Sequence, residues 1–429
     1  MAQVLVTGAS GFVGSHLIPA LVHAGHEVIC CGRSPESLQR RFPTCRVVQS
    51  DMALLPAPAF WDSALRGVSV VINAAGIIQQ HGTNTFEAVH RDGPSMMFCA
   101  AERAGVQRII QISALGADMH AATQYHRMKW AADEVLRGLR LEWVILQPSI
   151  IYGPGGRSLA FFSALAALPL MPLIGRGDQQ IQPVHVDDVV GGIVRLLHSN
   201  APSCVTLSVV GPEPVTFREF LKAIRRWLGL AVAPEFSIPL PLMRLAARVG
   251  DLVRSDFVNT DTLRMLCRGN TADATPYVTA TGVQPRTLST GLSVGGAGHP
   301  EYLSASLYFL TPLLRLTLAA VWVGSGVVSL FFFPQETSEG WLRLVGIPSL
   351  WAAPTLVVAS VLDIVRGLAT LIRWHLPLVL SLQLLLVLGF TLILTAGMPE
   401  LWVHPFGPLL KNLSLFVATL MLWALERRR

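Results

Sequence analysis

Tyr125 and Lys129 stand four residues apart in Tyr125-His126-Arg127-Met128-Lys129, a spacing that puts both side chains on one helix face. A free tyrosine, with a pKa of about 10, is a poor base at neutral pH. A neighbouring ammonium favours the phenolate and is expected to lower that value. The pair therefore has the makings of a site that trades a proton with an alcohol or a carbonyl. A second cluster lies near the start of the chain. Val4-Leu5-Val6 is a β-rich run, followed by Gly8, Gly11 and Gly14 and then an apolar segment from Phe12 to His23. Strand, glycine turn and helix in that order are the context of a dinucleotide site. The first glycine permits the tight turn, the second lets a pyrophosphate approach the backbone, and the third lets helix and strand pack closely. The helix start adds free N–H groups and the positive end of a dipole. Hydride exchange on such a nucleotide is the chemistry that would need a proton carrier like Tyr125.

The second strand, Glu27 to Cys31, ends in Gly32-Arg33-Ser34, with Arg40 and Arg41 further on. A site that prefers NAD usually has an acidic residue there for the ribose 2′-hydroxyl. A guanidinium fits a 2′-phosphate instead, so Arg33 points to NADP(H); the alternative is a solvated surface arginine.

In this order the residues resemble an extended or atypical short-chain dehydrogenase/reductase of the NAD(P)-dependent epimerase/dehydratase group. The resemblance rests on Thr7-Gly8-Ala9-Ser10-Gly11-Phe12-Val13-Gly14, on Asp51, on Asn73-Ala74-Ala75-Gly76, on Tyr125/Lys129, on Gln147-Pro148-Ser149-Ile150-Ile151-Tyr152-Gly153-Pro154 and on His185-Val186-Asp187-Asp188-Val189. It covers roughly residues 1–290. It implies an α/β fold, a Rossmann-like doubly wound parallel sheet with a small substrate lobe. It also implies that Gly8, Ser10, Gly11, Phe12, Gly14, Arg33, Asp51, Asn73, Ala74, Ala75, Gly76, Lys129 and Pro148 hold the cofactor, with Asp51 against the adenine and Lys129 on the nicotinamide ribose. Tyr125, Lys129 and Ser113 would be the catalytic set. Ser113 stands only a dozen residues before Tyr125 and is followed by Ala114 and Leu115 where the family has further hydroxyls. That short form is similar to the atypical branch that includes the accessory nucleotide-binding subunit of respiratory complex I. Gln147 in place of an arginine and His90 in place of an asparagine point the same way.

Composition adds a second half. Of 429 residues, 52% are hydrophobic and 14% charged, too apolar for an ordinary soluble chain. Four stretches, at about 313–333, 350–372, 376–396 and 406–425, each approach the roughly 20 residues a helix needs to cross a bilayer. An all-α four-helix transmembrane bundle is expected over 304–429, after a Gly/Ser/Thr-rich linker at 282–303 and a nucleotide domain at 1–281. Arg315, Arg373 with His375, and Arg427 to Arg429 fall on one side if there are four crossings. That side is then cytoplasmic, in a bacterial inner membrane, with the N-terminal domain and the C-terminus on it. Trp322-Val323-Gly324-Ser325-Gly326 and Pro405-Phe406-Gly407-Pro408-Leu409-Leu410-Lys411-Asn412 resemble the DoxX-like membrane family, which is loosely associated with redox and quinone-linked systems. Asp363 and Arg366 inside the second span read either as a salt bridge or as a relay, and Gln383 in the third as helix–helix glue.

The net charge of +6 is modest and its basic residues are scattered, which argues against nucleic-acid binding. Seven histidines between His16 and His126 show no metal-ligand spacing, so no metal is expected. Six cysteines without CxxC spacing read as free and buried, and Val4 to Gly14 does not read as a signal peptide. Asp187-Asp188 is expected to cap a helix from Val189 to Leu197. Ser158 to Leu173 reads as a buried helix under a pocket. Pro239 to Arg254, amphipathic with Arg244, Arg248 and Arg254, is either an interfacial helix or a docked core-edge helix. Two function classes remain: a membrane-anchored NADP(H)-dependent oxidoreductase or epimerase acting on an amphiphilic or lipid-borne substrate, and a non-catalytic NADP(H)-binding subunit working beside a membrane redox partner.

Overall fold

The computed structural model of the chain describes residues 2–294, 299–405 and 407–427. Phe406, Arg428, Arg429 and the linker positions 295–298 named above lie outside the described residues. The chain divides into two compact units, Met1–Ala305 and Ser306–Arg429.

In the first unit the β-branched runs form strands β1 (Gln3–Thr7), β2 (Glu27–Gly32), β3 (Arg46–Gln49), β4 (Val70–Asn73), β5 (Arg108–Ile112) and β6 (Glu142–Pro148). With Val205–Val209 they make one seven-stranded parallel sheet in the order Val205–Val209, β6, β5, β4, β1, β2, β3. The order reverses between β1 and β4, and ligands of such sheets bind in the crevice at the carboxyl ends there. Both faces are covered, as a parallel sheet requires. Helix α1 (Phe12–His23) buries Leu17, Ile18 and Leu21 against one face, each worth about 1.5–3 kcal/mol. On the other face Ala132 and Leu136 of helix Gln124–Arg137 join Leu5, Phe98 and Ile145.

The substrate lobe has its own core around Phe217, Phe220, Leu159 and Met171. Helix Phe217–Trp227 starts in a capping box between Thr216 and Glu219, two donors satisfied reciprocally. Of the segment expected as one buried helix, Arg157–Ala167 is a helix that buries Leu159, Phe161 and Ala166, but Met171–Ile174 is a strand. Two further readings change. The segment expected as linker is structured from its start: Leu288–Ser293 is a helix with Leu292 buried in the lobe core, and the Arg286 side chain binds Asp188 at 2.8 Å. Glycine and serine content alone does not reveal such a tertiary anchor. Asp188, buried for that purpose, does not cap its helix; the helix runs Val186–Arg195 and His185 caps it through the Asp187 N–H. Of the cysteines, Cys30, Cys31 and Cys45 are buried, whereas Cys204 and Cys267 are exposed.

The second unit is helical. Four helices, Pro300–Phe332, Ser349–Leu371, Leu376–Gly397 and Pro408–Glu426, are long and apolar enough to cross a membrane. The first begins some way before the apolar run at 313, and a short helix, Gln335–Leu344, follows it. A Cβ on Gly326 would lie 2.4 Å from the Ser360 carbonyl, and one on Gly367 2.8 Å from that of Ala319. Small residues therefore let the first two spans approach backbone to backbone. Gln383 donates to Thr370 at 2.8 Å and ties the third span to the second. Arg366 pairs with Asp363 at 2.7 Å and lies over the Trp322 ring at 5.9 Å. Arg315 and Arg373 converge on the buried Glu426 carboxylate at 3.8 and 2.7 Å, so two of the basic positions read as one-sided share one acid.

Candidate nucleotide and proton-transfer site

At the crevice, Gly8 takes a left-handed φ of +67° and a Cβ there would sit 2.5 Å from the Ala74 carbonyl oxygen. A Cβ on Gly14 would lie 2.3 Å from the Gly8 carbonyl. Neither position admits a side chain, and the space so kept is a backbone-lined cradle. Gly11 caps α1 without a side chain, which leaves the first-turn N–H groups for an anion. Ser10 is exposed beside this turn, and its hydroxyl is 4.0 Å from where a Gly32 Cβ would be. The glycine turn thus adjoins the end of β2 and Arg33. Phe12 closes the far side against Gly156.

Of the three arginines near β2, Arg40 donates Nε to the Glu36 carbonyl and Arg41 lies over the Phe42 ring. Arg33 is exposed and has no ion-pair partner among the described residues. Asp51 accepts from the Ala53 N–H at 3.0 Å and caps a short 3-10 turn. Asn73 is fully buried: it accepts from Thr7 at 2.6 Å and donates to Gln111 at 2.7 Å. Its side chain is committed to the sheet, and it shapes the crevice by accepting from the Ala75 N–H at 3.3 Å. Ala74, Ala75 and Gly76 form the floor, and the Gly76 Cβ position is 3.8 Å from Lys129 Nζ. Pro148, at the end of β6, accepts from the Leu115 N–H at 2.9 Å.

Helix Gln124–Arg137 begins at Thr123, whose hydroxyl caps the His126 N–H and meets His126 Nδ1 at 2.8 Å. Tyr125 is wedged edge-on among Phe86, His90 and His126, with ring centroids 5.9, 5.0 and 5.1 Å away. Its hydroxyl has no hydrogen-bond partner among the described residues. Lys129 is buried and donates to the Ile112 carbonyl at 2.8 Å. One turn further on, Asp133 accepts from Ser113 at 2.5 Å. His90 stands on a π-helical turn, Glu87–Asp92, a local irregularity frequent at functional sites. Its Nε2 holds Ile77, 2.8 Å from the carbonyl and 3.3 Å from the N–H. Its Nδ1 is buried without a hydrogen-bond partner among the described residues and lies 3.9 Å from the Gly76 Cβ position.

Burial governs the electrostatics. It pushes Tyr125 up to about 12, with the Asp133 charge adding to it. The expected depression by Lys129 is therefore corrected: burial and the Asp133 charge set the direction for Tyr125, and Lys129 is itself brought down to about 8 by burial. Asp133 is raised to about 6 by burial, against the hydrogen bond from Ser113 and the charge of Lys129. Burial also holds His90 well below its ordinary value and takes His126 down to about 4. Lys129 and His90 thus both border Gly76, with Tyr125 packed on His90 and the Gly8 turn against Ala74. Ser113 is not free for a substrate oxygen, because its proton goes to Asp133. Sequence reasoning missed Asp133, although its place four residues after Lys129 on the same helix face was the available signal.

Comparison with known proteins agrees with this geometry. Residues 8–160 match the NAD(P)H-binding family and residues 319–420 the DoxX-like family. The chain joins an NAD(P)H-binding domain to a DoxX-like domain. Its relatives include a ceramide reductase from Caulobacter vibrioides, 29% identical over 53% of this chain and 70% of that protein. They also include the alpha subcomplex subunit 9 of mitochondrial NADH dehydrogenase from Arabidopsis thaliana, 29% identical over 58% of this chain and 63% of the subunit. With the mouse subunit, 28% identical, the match again spans 63% of its length. With both subunits the chain thus spans less than two thirds of its relative's length. Among solved structures, the UDP-glucuronic acid 4-epimerase of Bacillus cereus with NAD has a TM-score of 0.53 at 18% identity, covering 71% of this chain and 99% of its own. The UDP-glucose 4-epimerase of Thermotoga maritima gives the same values. At that identity the likeness concerns fold alone, and the fold is the expected Rossmann-like parallel sheet.

Proposed function

We propose that the chain is a membrane-anchored NADP(H)-dependent oxidoreductase or epimerase of the short-chain dehydrogenase/reductase type, acting on an amphiphilic, lipid-borne substrate. The observation that carries this is Tyr125, whose ring is held by three others one helical turn before Lys129 and whose hydroxyl bonds to no group among the described residues. The cradle of Gly8, Gly11 and Gly14 would hold the pyrophosphate and Lys129 the nicotinamide ribose. When bound, the cofactor supplies or accepts hydride. Tyr125, held near 12, keeps its proton at neutral pH and releases it only to a stronger base. The alkoxide oxygen that develops as a carbonyl is reduced is such a base. The arrangement therefore suits reduction. Lys129, at about 8, stays mostly protonated and sets a positive charge under the site. Arg33, which among the described residues is the arginine of its group without a side-chain partner, supports a preference for the 2′-phosphate of NADP(H).

The name of the Caulobacter relative, a ceramide reductase, supports a lipid-borne substrate, and four apolar helices on the same chain support its being met at a bilayer. The convergence of Arg315 and Arg373 on Glu426 supports a cytoplasmic placement of that bundle end, in a bacterial inner membrane.

A second reading is favoured by one observation: Ser113, the expected polarising hydroxyl, is bound to Asp133. In that reading the chain is a nucleotide-holding subunit beside a membrane redox partner, as the name of the NADH dehydrogenase relatives suggests. Complementation of a deletion strain separates the two. If Tyr125 is the proton donor, Tyr125→Phe loses about 10²–10⁴ in turnover with nucleotide affinity nearly unchanged. Full complementation by Tyr125→Phe, alongside failure of Gly11→Trp, which blocks the phosphate turn, would favour the subunit.

A further inference from the structure

Helix Leu240–Leu252 is packed inside out. The residues it buries are its smallest, Ala247 and Gly250. A Cβ on Gly250 would fall 1.6 Å from the Val258 carbonyl oxygen, so the helix can lie against the chain at 255–260 only through this small-residue face. The large apolar residues point the other way: Leu242, Leu245, Val249, Leu252 and Val253 are 53–83% exposed. At about 100° per residue these five positions form one stripe on the outer side of the helix. A core-edge helix does the reverse, because burying Leu and Val is what stabilises its docking.

The stripe continues before the helix. Phe236, on the strand that leads into it, and Leu170, beside the paired strand Met171–Ile174, are both about half exposed. Its charges are of one sign. Arg244 and Arg248 follow the stripe along one flank, Arg254 closes its end, and none of the three has an ion-pair partner among the described residues. The helix's one acid, Asp251, is used by Thr260, which bonds it through both its N–H and its hydroxyl. What remains outward is an apolar face edged by unpaired guanidinium groups.

We infer that helix Leu240–Leu252 is an interfacial helix that seats the nucleotide-binding unit on an anionic lipid surface, with Leu242, Leu245, Val249, Leu252 and Val253 among the acyl chains and Arg244 and Arg248 at the headgroup phosphates. Lipid fits better than a protein partner because the same chain carries four candidate membrane spans, which would tether this unit to a bilayer. The unpaired arginines complement an anionic leaflet. The inference concerns binding to the lipid surface and is independent of whether Tyr125 turns a substrate over.

The test uses the full chain in nanodiscs of phosphatidylcholine, with or without about one-third phosphatidylglycerol. Cys99, Cys204 and Cys267 are replaced by serine, and a single Leu245→Cys carries a nitrobenzoxadiazole label; Glu36→Cys, exposed on the nucleotide half, is the control. The label at 245 should emit blue-shifted light and be quenched by lipids with a nitroxide at a shallow acyl position, while the label at 36 should not. Arg244→Gln/Arg248→Gln should lower the quenching about twofold or more in the anionic discs and leave the neutral ones unaffected. Water-like emission without quenching at 245 overturns the inference. So does blue-shifted emission without lipid quenching, or emission that follows the number of chains per disc, since a protein surface then covers the stripe. Because Leu245 is exposed, the labelled variant keeps the fold, and the quenching result stands even if the arginine pair proves structural.

Discussion

Single side chains in this site are decided by burial more than by neighbouring charge. Asp133 binds its proton more tightly folded, at about 6, than at its ordinary 3.8. Protonation therefore favours the fold: this contribution is full below about pH 4 and is lost as pH rises through about 6. Asp133→Asn removes it while leaving Ser113 an acceptor. Thermal melts of detergent-solubilised chain should show a loss of stability from pH 4 to 6 in the parent that is flatter in the variant. Lys129 has the opposite sign. Its folded value is depressed from 10.5 to about 8, so it costs stability that is recovered as pH rises from 8 through 10.5. Arg33 belongs to specificity. We expect at least a tenfold preference for NADP(H), about 1.4 kcal/mol, that Arg33→Asp reverses or erases; equal affinities by fluorescence titration of the parent would remove its assigned role.

Elements here are positioned by what glycine leaves out. α1 lies close enough to β1 to present its N-terminus because Gly14 has no Cβ to strike the Gly8 carbonyl. Gly14→Val should cost about 3 kcal/mol through forced displacement and release the nucleotide, which a melt and an absorbance scan of the purified chain would detect together. The membrane helices follow the same logic. Gly367→Leu drives a side chain into Ala319 and Val323 and should prevent the first two spans from packing. Gln383→Leu removes only a 2.8 Å bond to Thr370, whose hydroxyl still has the Arg366 carbonyl. That variant should lose only about 0.6 kcal/mol. If unfolding in detergent shows the larger loss for Gln383→Leu, hydrogen bonding rather than close packing holds the spans.

For the molecule as a whole, the meeting of Arg315, Arg373 and Glu426 brings the start of the first apolar run, inside its longer helix, to the ends of the second and fourth span helices, which four crossings require. A reporter fused after Arg429 should be active only as a cytoplasmic type. One inserted at Gly346, an exposed turn with a φ of +94°, should be active only as an external type. Ser338, between the same two spans, is unsuitable because it is buried within helix Gln335–Leu344. Both reporters on one side would rule out four crossings.

Period and composition alone determined the two halves of this protein. A strand–glycine–helix order specifies a parallel dinucleotide fold because only that backbone path suits three glycines. Twenty apolar residues in a row specify a membrane because few other solvents accept them. Those signals are local, and the expected sheet, α1, and the number and order of the spans were legible from them, though the first span helix starts earlier than its apolar run. What the tertiary structure decided is non-local or directional. The commitment of Asn73 to Thr7 and Gln111, the loss of Ser113 to Asp133, and the anchoring of Arg286 by Asp188 across 98 residues depend on strands and helices brought together from far apart in the chain. The raised Tyr125 pKa depends on how much water the surrounding rings exclude. The outward face of helix Leu240–Leu252 shows the limit most plainly: its amphipathic period is in the sequence, but period is blind to which side is in. The room left opposite Gly250 settled that.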